Sequence, residues 1–177
     1  MSSIEIIIGC MFSGKSTELN RRASRYKAIG KRVLVINSLL DTRGDGIKLH
    51  SNVDVAATKT ECLMSMCADM RFAEADVIAV DESQFFEDLH AFCLECEKAG
   101  KILIIAGLDG DSNRMPFGEI MRCIPLCDSV VKLTALDMIS RDGTVAIFSK
   151  RIDAEDDVIS VGGADKYVAV SRENYLK

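Results

Sequence analysis

Residues 9–17 read Gly9-Cys10-Met11-Phe12-Ser13-Gly14-Lys15-Ser16-Thr17. The two glycines, the lysine and the hydroxyl residue fall at the offsets of G-x-x-x-x-G-K-[ST]. That spacing makes a loop whose backbone N–H groups, with the N-terminus of the helix it opens, surround an anion. Lys15 is placed to neutralise the outer phosphates of a nucleotide, and Ser16 to ligate Mg²⁺. A glycine-rich turn alone is only a tight bend. The Lys-Ser pair at the right offset makes it a phosphate site, so Gly9, Cys10, Met11, Phe12, Ser13, Gly14, Lys15 and Ser16 form the first candidate set.

The second element is Val77-Ile78-Ala79-Val80-Asp81-Glu82. Four apolar residues followed by acids describe a buried strand that delivers carboxylates to its end. Asp81 can hold Mg²⁺ directly or through water. Glu82 adds a second carboxylate. In a nucleotide hydrolase it would orient water; in a kinase acting on an alcohol it would accept the hydroxyl proton. Two acids ending a strand in solvent is the plainer alternative, and the phosphate loop argues against it. Asp41 and Arg43 follow another strand. Arg43 could stabilise charge on a transferred phosphoryl group, although a D-x-R loop is commonly a turn with a salt bridge.

Apolar spacing indicates the elements that position these groups. Ile4–Ile8 reads as a buried strand ending at the loop. A helix is expected from Ser16, with Leu19, Ala23 and Tyr26 at i, i+4, i+7 and Gly30 stopping it. Its other face carries Arg21, Arg22, Arg25 and Lys27, read as a solvated face rather than a partner surface. Val33–Ile36 and Ile102–Ala106 are further buried strands. Glu61–Phe72 and Leu89–Ala99 have helical spacing. Strands alternating with helices imply an α/β fold with a parallel sheet and right-handed crossovers. After about Ala135 the texture changes. Thr144–Phe148 and Val158–Val161 read as short strands, followed by a polar tail, which together make a small β appendage.

The chain has 177 residues, enough for one domain or one domain with an appendage. A net charge of −5 argues against a protein that coats nucleic acid. No apolar run approaches the roughly 20 residues that span a bilayer. The start, Met1-Ser2-Ser3-Ile4-Glu5, has no basic segment of a signal peptide. Seven cysteines without a secretory signal read as reduced thiols, and mostly as small buried hydrophobes.

Residues 9–19, Asp41-Thr42-Arg43, Asp81-Glu82-Ser83-Gln84-Phe85-Phe86, Leu108-Asp109-Gly110, Lys132-Leu133-Thr134-Ala135 and Gly162-Gly163-Ala164-Asp165-Lys166-Tyr167 resemble, in order, thymidine kinases of the cellular and poxviral type. The resemblance implies a P-loop, RecA-like parallel sheet flanked by helices over residues 1–134. Residues 135–177 would form a small C-terminal β lasso domain. It implies transfer of the ATP γ-phosphoryl group to the 5′-hydroxyl of thymidine, in nucleotide salvage for DNA synthesis. Glu82 would be the general base, Lys15 and Arg43 would act at the reacting phosphate, and Ser16 and Asp81 would hold Mg²⁺. Asp41, Arg43, Asp81 and Gln84 would join the loop in binding ATP. Met11, Phe85 and Leu108 would line the acceptor pocket. Ser112 stands where the family has phenylalanine against the base, and Ser149 where it has threonine. Val158, Ile159, Ser160, Val161 and Gly162 would hold the base, with Tyr167 beyond them. A cytoplasmic homotetramer with thymidine triphosphate as feedback inhibitor is also implied.

This chain departs from the family pattern in three places. The family pins its small domain with zinc on two Cys-x-x-Cys pairs. Here those positions read Asp137-Met138-Ile139-Ser140 and Ser171-Arg172-Glu173-Asn174. One carboxylate, two hydroxyls and an amide make a poor zinc site, so no zinc is expected. Ser112 removes an aromatic wall, which Phe117 would have to replace unless the pocket prefers another base. Ser83 replaces the usual glycine after Glu82. A nucleotide-binding paralogue with altered catalysis, a deoxynucleoside kinase of changed base preference, and another P-loop enzyme therefore remain as alternatives.

Overall fold

Apolar strands buried on both faces organise the molecule. The computed structural model describes residues 2–41, 46–48, 54–152 and 166–177. In chain order its elements are β1 (Ser3–Gly9), α1 (Lys15–Ala28), β2 (Val33–Ser38), β3 (Gly46–Lys48), β4 (Asp54–Ala56), β5 (Thr58–Thr60), α2 (Leu63–Met66), α3 (Met70–Glu74), β6 (Val77–Val80), α4 (Leu89–Lys98) and β7 (Ile102–Gly107). These are followed by β8 (Ser129–Leu133), β9 (Ala135–Leu136), β10 (Val145–Ala146), β11 (Phe148–Arg151), β12 (Tyr167–Val170) and α5 (Arg172–Leu176). Six strands form one parallel sheet in the order β5-β2-β6-β7-β1-β8.

Both sheet faces are covered, so the central strands are apolar on both sides. Ile4, Ile6, Ile8, Ile78, Val80, Leu103 and Ile105 point to the face packed by Phe72, Leu89, Phe92, Cys93 and Cys96. Ile7, Val77, Ala79, Ile104 and Ala106 point to the face covered by Leu19 and Ala23 of α1. Val80 lies opposite Ile105, which lies opposite Ile6, so β6 ends two residues short of the Ile8–Gly107 pair. This is the expected α/β sheet, with β7 between the strand of the phosphate loop and that of the carboxylates.

Other expectations were altered by packing. The Glu61–Phe72 segment is two short helices, because Asp69 takes an extended conformation and its side chain accepts from Arg71 N–H to cap α3. The run Thr144–Phe148 is divided between β10 and β11, which pair with different partners: β10 with β9, and β11 with β12. The polar tail instead forms β12 and α5, the helix being capped by the Ser171 hydroxyl. β8 is a sheet edge that no apolar run marks, since Ser129–Lys132 are exposed. Val158–Val161 lies outside the described residues.

The basic face of α1 is an ion-paired surface. Glu18 accepts from Arg21 Nε at 2.6 Å and Arg22 Nε at 2.8 Å, and Arg22 Nη1 also reaches Glu5 at 2.6 Å. The Arg21 and Arg22 hydrogen bonds outweigh desolvation and hold the Glu18 carboxyl down at about 2. A depressed carboxyl stabilises the fold above its unfolded pKa and loses that effect as pH falls through the folded one. Solvent screening limits the gain to about 0.5–1 kcal/mol. Glu18→Gln should therefore lower unfolding free energy by that amount at pH 7. The difference from the parent should vanish as pH falls from about 4.5 to about 2 in denaturant titrations.

Candidate active site

The phosphate loop is built by close approach. Gly9 has φ 149°, and a Cβ there would lie 2.3 Å from the Leu133 carbonyl oxygen. Any side chain would push β1 off β8. Gly14, in the left-handed region, starts α1, and no side chain caps that helix. Its first N–H groups are therefore presented to the loop side, where they and the helix dipole favour an anion. Cys10, Met11, Phe12 and Ser13 complete the turn. The Ser13 hydroxyl donates to the Cys10 carbonyl at 2.8 Å, and Lys15 Nζ to the same oxygen at 2.7 Å.

Asp81 and Glu82 leave the end of β6 beside this loop. Asp81 is buried, with its N–H bonded to the Ile36 carbonyl at 2.9 Å. Burial and the neighbouring Glu82 charge push its carboxyl up to about 7, opposed by the facing Ser16 hydroxyl, the Glu82 N–H and Lys15. Burial pulls Lys15 down, while Glu82, Asp81 and, more weakly, Asp109 act to keep it charged. A buried carboxyl facing a hydroxyl, with further negative charge around it, suits a hard divalent cation. Ser16 and Asp81 would hold Mg²⁺ there, and the ion would neutralise phosphate oxygens.

Glu82 sits at φ 50°, left-handed for a residue that is not glycine. Such a conformation costs on the order of 1 kcal/mol or more and has to be held by its surroundings. Gln84, buried, supplies part of that hold. Its Nε2 donates to Glu82 Oε2 at 2.7 Å, while its Oε1 accepts from Leu108 N–H at 3.0 Å. Gly118 lies against the Gln84 backbone, where a Cβ would fall 2.2 Å from the Gln84 carbonyl oxygen. The general-base candidate is thus aimed by an amide fixed from two sides.

Of the residues expected on the acceptor side, Ser149 meets the loop from the C-terminal hairpins. Ser149 of β11 accepts from Met11 N–H at 2.9 Å, and the Cys10 thiol reaches the Ala146 carbonyl at 3.5 Å. Phe85 and Phe117 pack edge to face, with centroids 5.7 Å apart. Phe117 thus stands beside Phe85, one of the residues expected at the pocket. Leu108 follows β7. Ser112 lies in a turn where Asp111 Oδ1 accepts from Asn113 and Met115 N–H. The Tyr175 hydroxyl donates to the Ser112 carbonyl at 2.7 Å. Tyr167 is buried in β12. Asp41 is buried after β2, accepting from Asn37 Nδ2 at 3.0 Å. Arg43, Val158, Ile159, Ser160, Val161 and Gly162 lie outside the described residues.

The four positions of the family's zinc cysteines do not suit a zinc ion. Asp137, Ser140, Ser171 and Asn174 hydrogen-bond to one another. Burial would raise the Asp137 carboxyl, but bonds from Ser171, Ser140 and Asn174 outweigh it and hold it well below the usual carboxylate range. Among the described residues, no three His, Cys, Asp or Glu side chains are grouped to hold a metal. All seven cysteines are free, and Cys10, Cys93, Cys96 and Cys123 are buried as small hydrophobes. Cys62 is instead exposed, its thiol 3.1 Å from Asp88.

The fold is that of an α/β P-loop-like protein, with a phosphate-loop motif and two acids brought to the same end of the sheet. The thymidine kinase family profile matches residues 2–175, nearly the whole chain. The chain is 46% identical to the thymidine kinase of Yaba monkey tumor virus over 176 residues, covering 98% of this chain and 94% of that protein. It is 42% identical to the thymidine kinase of myxoma virus (strain Uriarra), covering 98% and 96%. The cytosolic thymidine kinase of Homo sapiens is 42% identical, covering 98% of this chain and 73% of the human protein. The chain belongs to the thymidine kinase family.

For two residues already noted in the sequence, the environment was not foreseen. Asp109, paired with Lys132, adds negative charge near Lys15; its place just past β7 was the available signal. Ser83 is fully buried, and its hydroxyl has no hydrogen-bond partner among the described residues. A buried unpaired hydroxyl costs about 1–3 kcal/mol. Ser83→Ala should therefore raise the melting temperature by about 2–4 °C, as for a gain of about 1 kcal/mol in a chain of this size. Calorimetry showing a loss instead would mean the hydroxyl has a partner in solution.

Proposed function

We propose that this chain transfers the γ-phosphoryl group of Mg-ATP to the 5′-hydroxyl of thymidine. The observation that carries the reading is the Glu82 carboxylate, fixed by Gln84 beside Lys15 and the uncapped start of α1. In this reading the loop N–H groups and Lys15 hold the β- and γ-phosphates. Mg²⁺, held by Ser16 and Asp81, supplies charge neutralisation at the phosphate oxygens. Glu82 accepts the proton of the attacking hydroxyl. Arg43 and Asp41 complete the phosphate side, and Met11, Phe85, Leu108, Tyr167 and residues 158–162 the nucleoside side. Family membership and the likeness to viral and cytosolic thymidine kinases support thymidine as acceptor. The proposal extends to a cytoplasmic homotetramer inhibited by thymidine triphosphate, which sedimentation and inhibition kinetics would test. Among the described residues, no helix is long and apolar enough to cross a membrane.

A coupled assay with thymidine and Mg-ATP should show turnover. Glu82→Gln should lower kcat by roughly 10²–10⁴-fold while leaving nucleotide binding near its original strength. Turnover that survives this substitution would remove Glu82 as the base.

A second reading, changed base preference, is favoured by Ser112, whose turn presents no aromatic ring. Restoring one by Ser112→Phe should tighten thymidine binding by about 0.5–1.5 kcal/mol, roughly two- to tenfold in KM. A lower KM for another deoxynucleoside than for thymidine in the unaltered protein would favour the second reading.

A further inference from the structure

The geometry points to Asp137 as a positioning residue for the nucleoside side, at the centre of a hydrogen-bonded clasp that does without metal. Its carboxylate is 2% exposed and accepts four bonds. Ile139 and Ser140 N–H reach Oδ1 at 2.8 and 2.9 Å. Ser171 N–H and Asn174 Nδ2 reach Oδ2 at 2.7 and 2.9 Å. Four acceptor sites are the capacity of a carboxylate, so none is left over for a cation. Asn174 Nδ2 also donates to Ser140 Oγ at 2.7 Å, and Asn174 N–H to Ser171 Oγ at 3.3 Å. The side chains at all four positions therefore satisfy one another.

The clasp joins two pieces of chain far apart in sequence. One is the turn after β9; the other runs from the end of β12 into α5. Met138 N–H to the Ala169 carbonyl, 2.9 Å, closes the same seam. Everything β12 and α5 hold then depends on it. Ala169 pairs with Ser149, the residue that meets the phosphate loop. Tyr167 stands at the start of β12. Lys150 donates to the Asn174 carbonyl at 2.9 Å. Tyr175 packs on Phe148 at 5.2 Å and reaches the Ser112 turn. Asp137 touches neither nucleotide site itself; it fixes the segments that do.

This inference uses thymidine turnover as one of its readouts and so rests in part on the proposed function; its other two readouts do not. The unaltered protein, treated with 1,10-phenanthroline and assayed with Mg-ATP, should keep its activity and melting temperature, and elemental analysis should find no stoichiometric zinc. One zinc per chain, removed with loss of folding or activity, would overturn the inference. Asp137→Asn turns one acceptor oxygen into a donor facing two donors. It should raise KM for thymidine tenfold or more and KM for ATP by much less, through the Met11–Ser149 contact, with kcat within about twofold. Amide exchange at Ser171 should speed up at least tenfold in the same variant. An unchanged thymidine KM, an equal rise in both KM values, or retained protection at Ser171 would each refute it. If Asp137→Asn does not fold, Asn174→Ala leaves three of the four donors and should give the same split at about threefold. If the unaltered protein does not phosphorylate thymidine, the proposed function falls, while metal content and amide exchange still decide the clasp.

Discussion

Ile8 stands opposite Gly107 and Val80 opposite Ile105, so the parallel strands β1, β7 and β6 all exit at the same end of the sheet, β6 two residues earlier than the other two. Three chain exits therefore crowd one sheet edge: the phosphate loop, the Leu108 turn and the Asp81-Glu82 pair. A slip of one residue would turn every side chain to the opposite face. Ile6 and Ile8 would then exchange cores with Ile7, and the carboxylates would leave the loop. Burial on both faces makes that slip expensive, because each central strand places apolar side chains in two separate cores. The chemistry is thus located by the hydrophobic effect acting on strand register.

What that register brings together is electrostatically demanding. Asp81, Glu82 and Asp109 all act on one half-buried lysine, and Asp81 is wholly enclosed. Burial first, and then the like charge of Glu82, raise the proton affinity of Asp81. The arrangement has little merit as a stabilising device. It makes sense as a place where a divalent ion and a polyphosphate complete the charge balance. The left-handed Glu82 belongs to the same logic: strain is kept where a carboxylate must face inward, and Gln84 holds it there.

Much of this could be read from the chain. The loop at Gly9–Thr17 and the acids after Val80 were legible because glycine, lysine and carboxylates have few other reasons to occur at those spacings. The central strands were legible as apolar runs. Elements fixed by partners far away were not. β8 is exposed and gains its conformation from pairing with β1. The break at Ile147 comes from two hairpins competing for one run. The polar tail became a strand and a helix because Asp137, 34 residues earlier, receives the Ser171 N–H. Polar substitutions at Asp137, Ser140, Ser171 and Asn174 read singly as losses. Only in three dimensions do they form a mutually satisfied set.

The Met11 N–H bond to Ser149 gives the two halves of the site a common element. Loop N–H groups of this kind are normally directed at phosphate, yet this one is held by a hydroxyl from β11. The position of β11 therefore helps to set the shape of the phosphate loop. Cys10 strengthens the link, since it packs with Ala135, Ala146 and Ala169 in a small core of its own. Side chains this small bring the backbones close, so a shift of the hairpins has little slack to absorb it before the loop moves. Ser149 keeps the hydroxyl that its family counterpart threonine would offer and gives up only a methyl group. The contact retained is the one through which ordering of the hairpins can reach the phosphates.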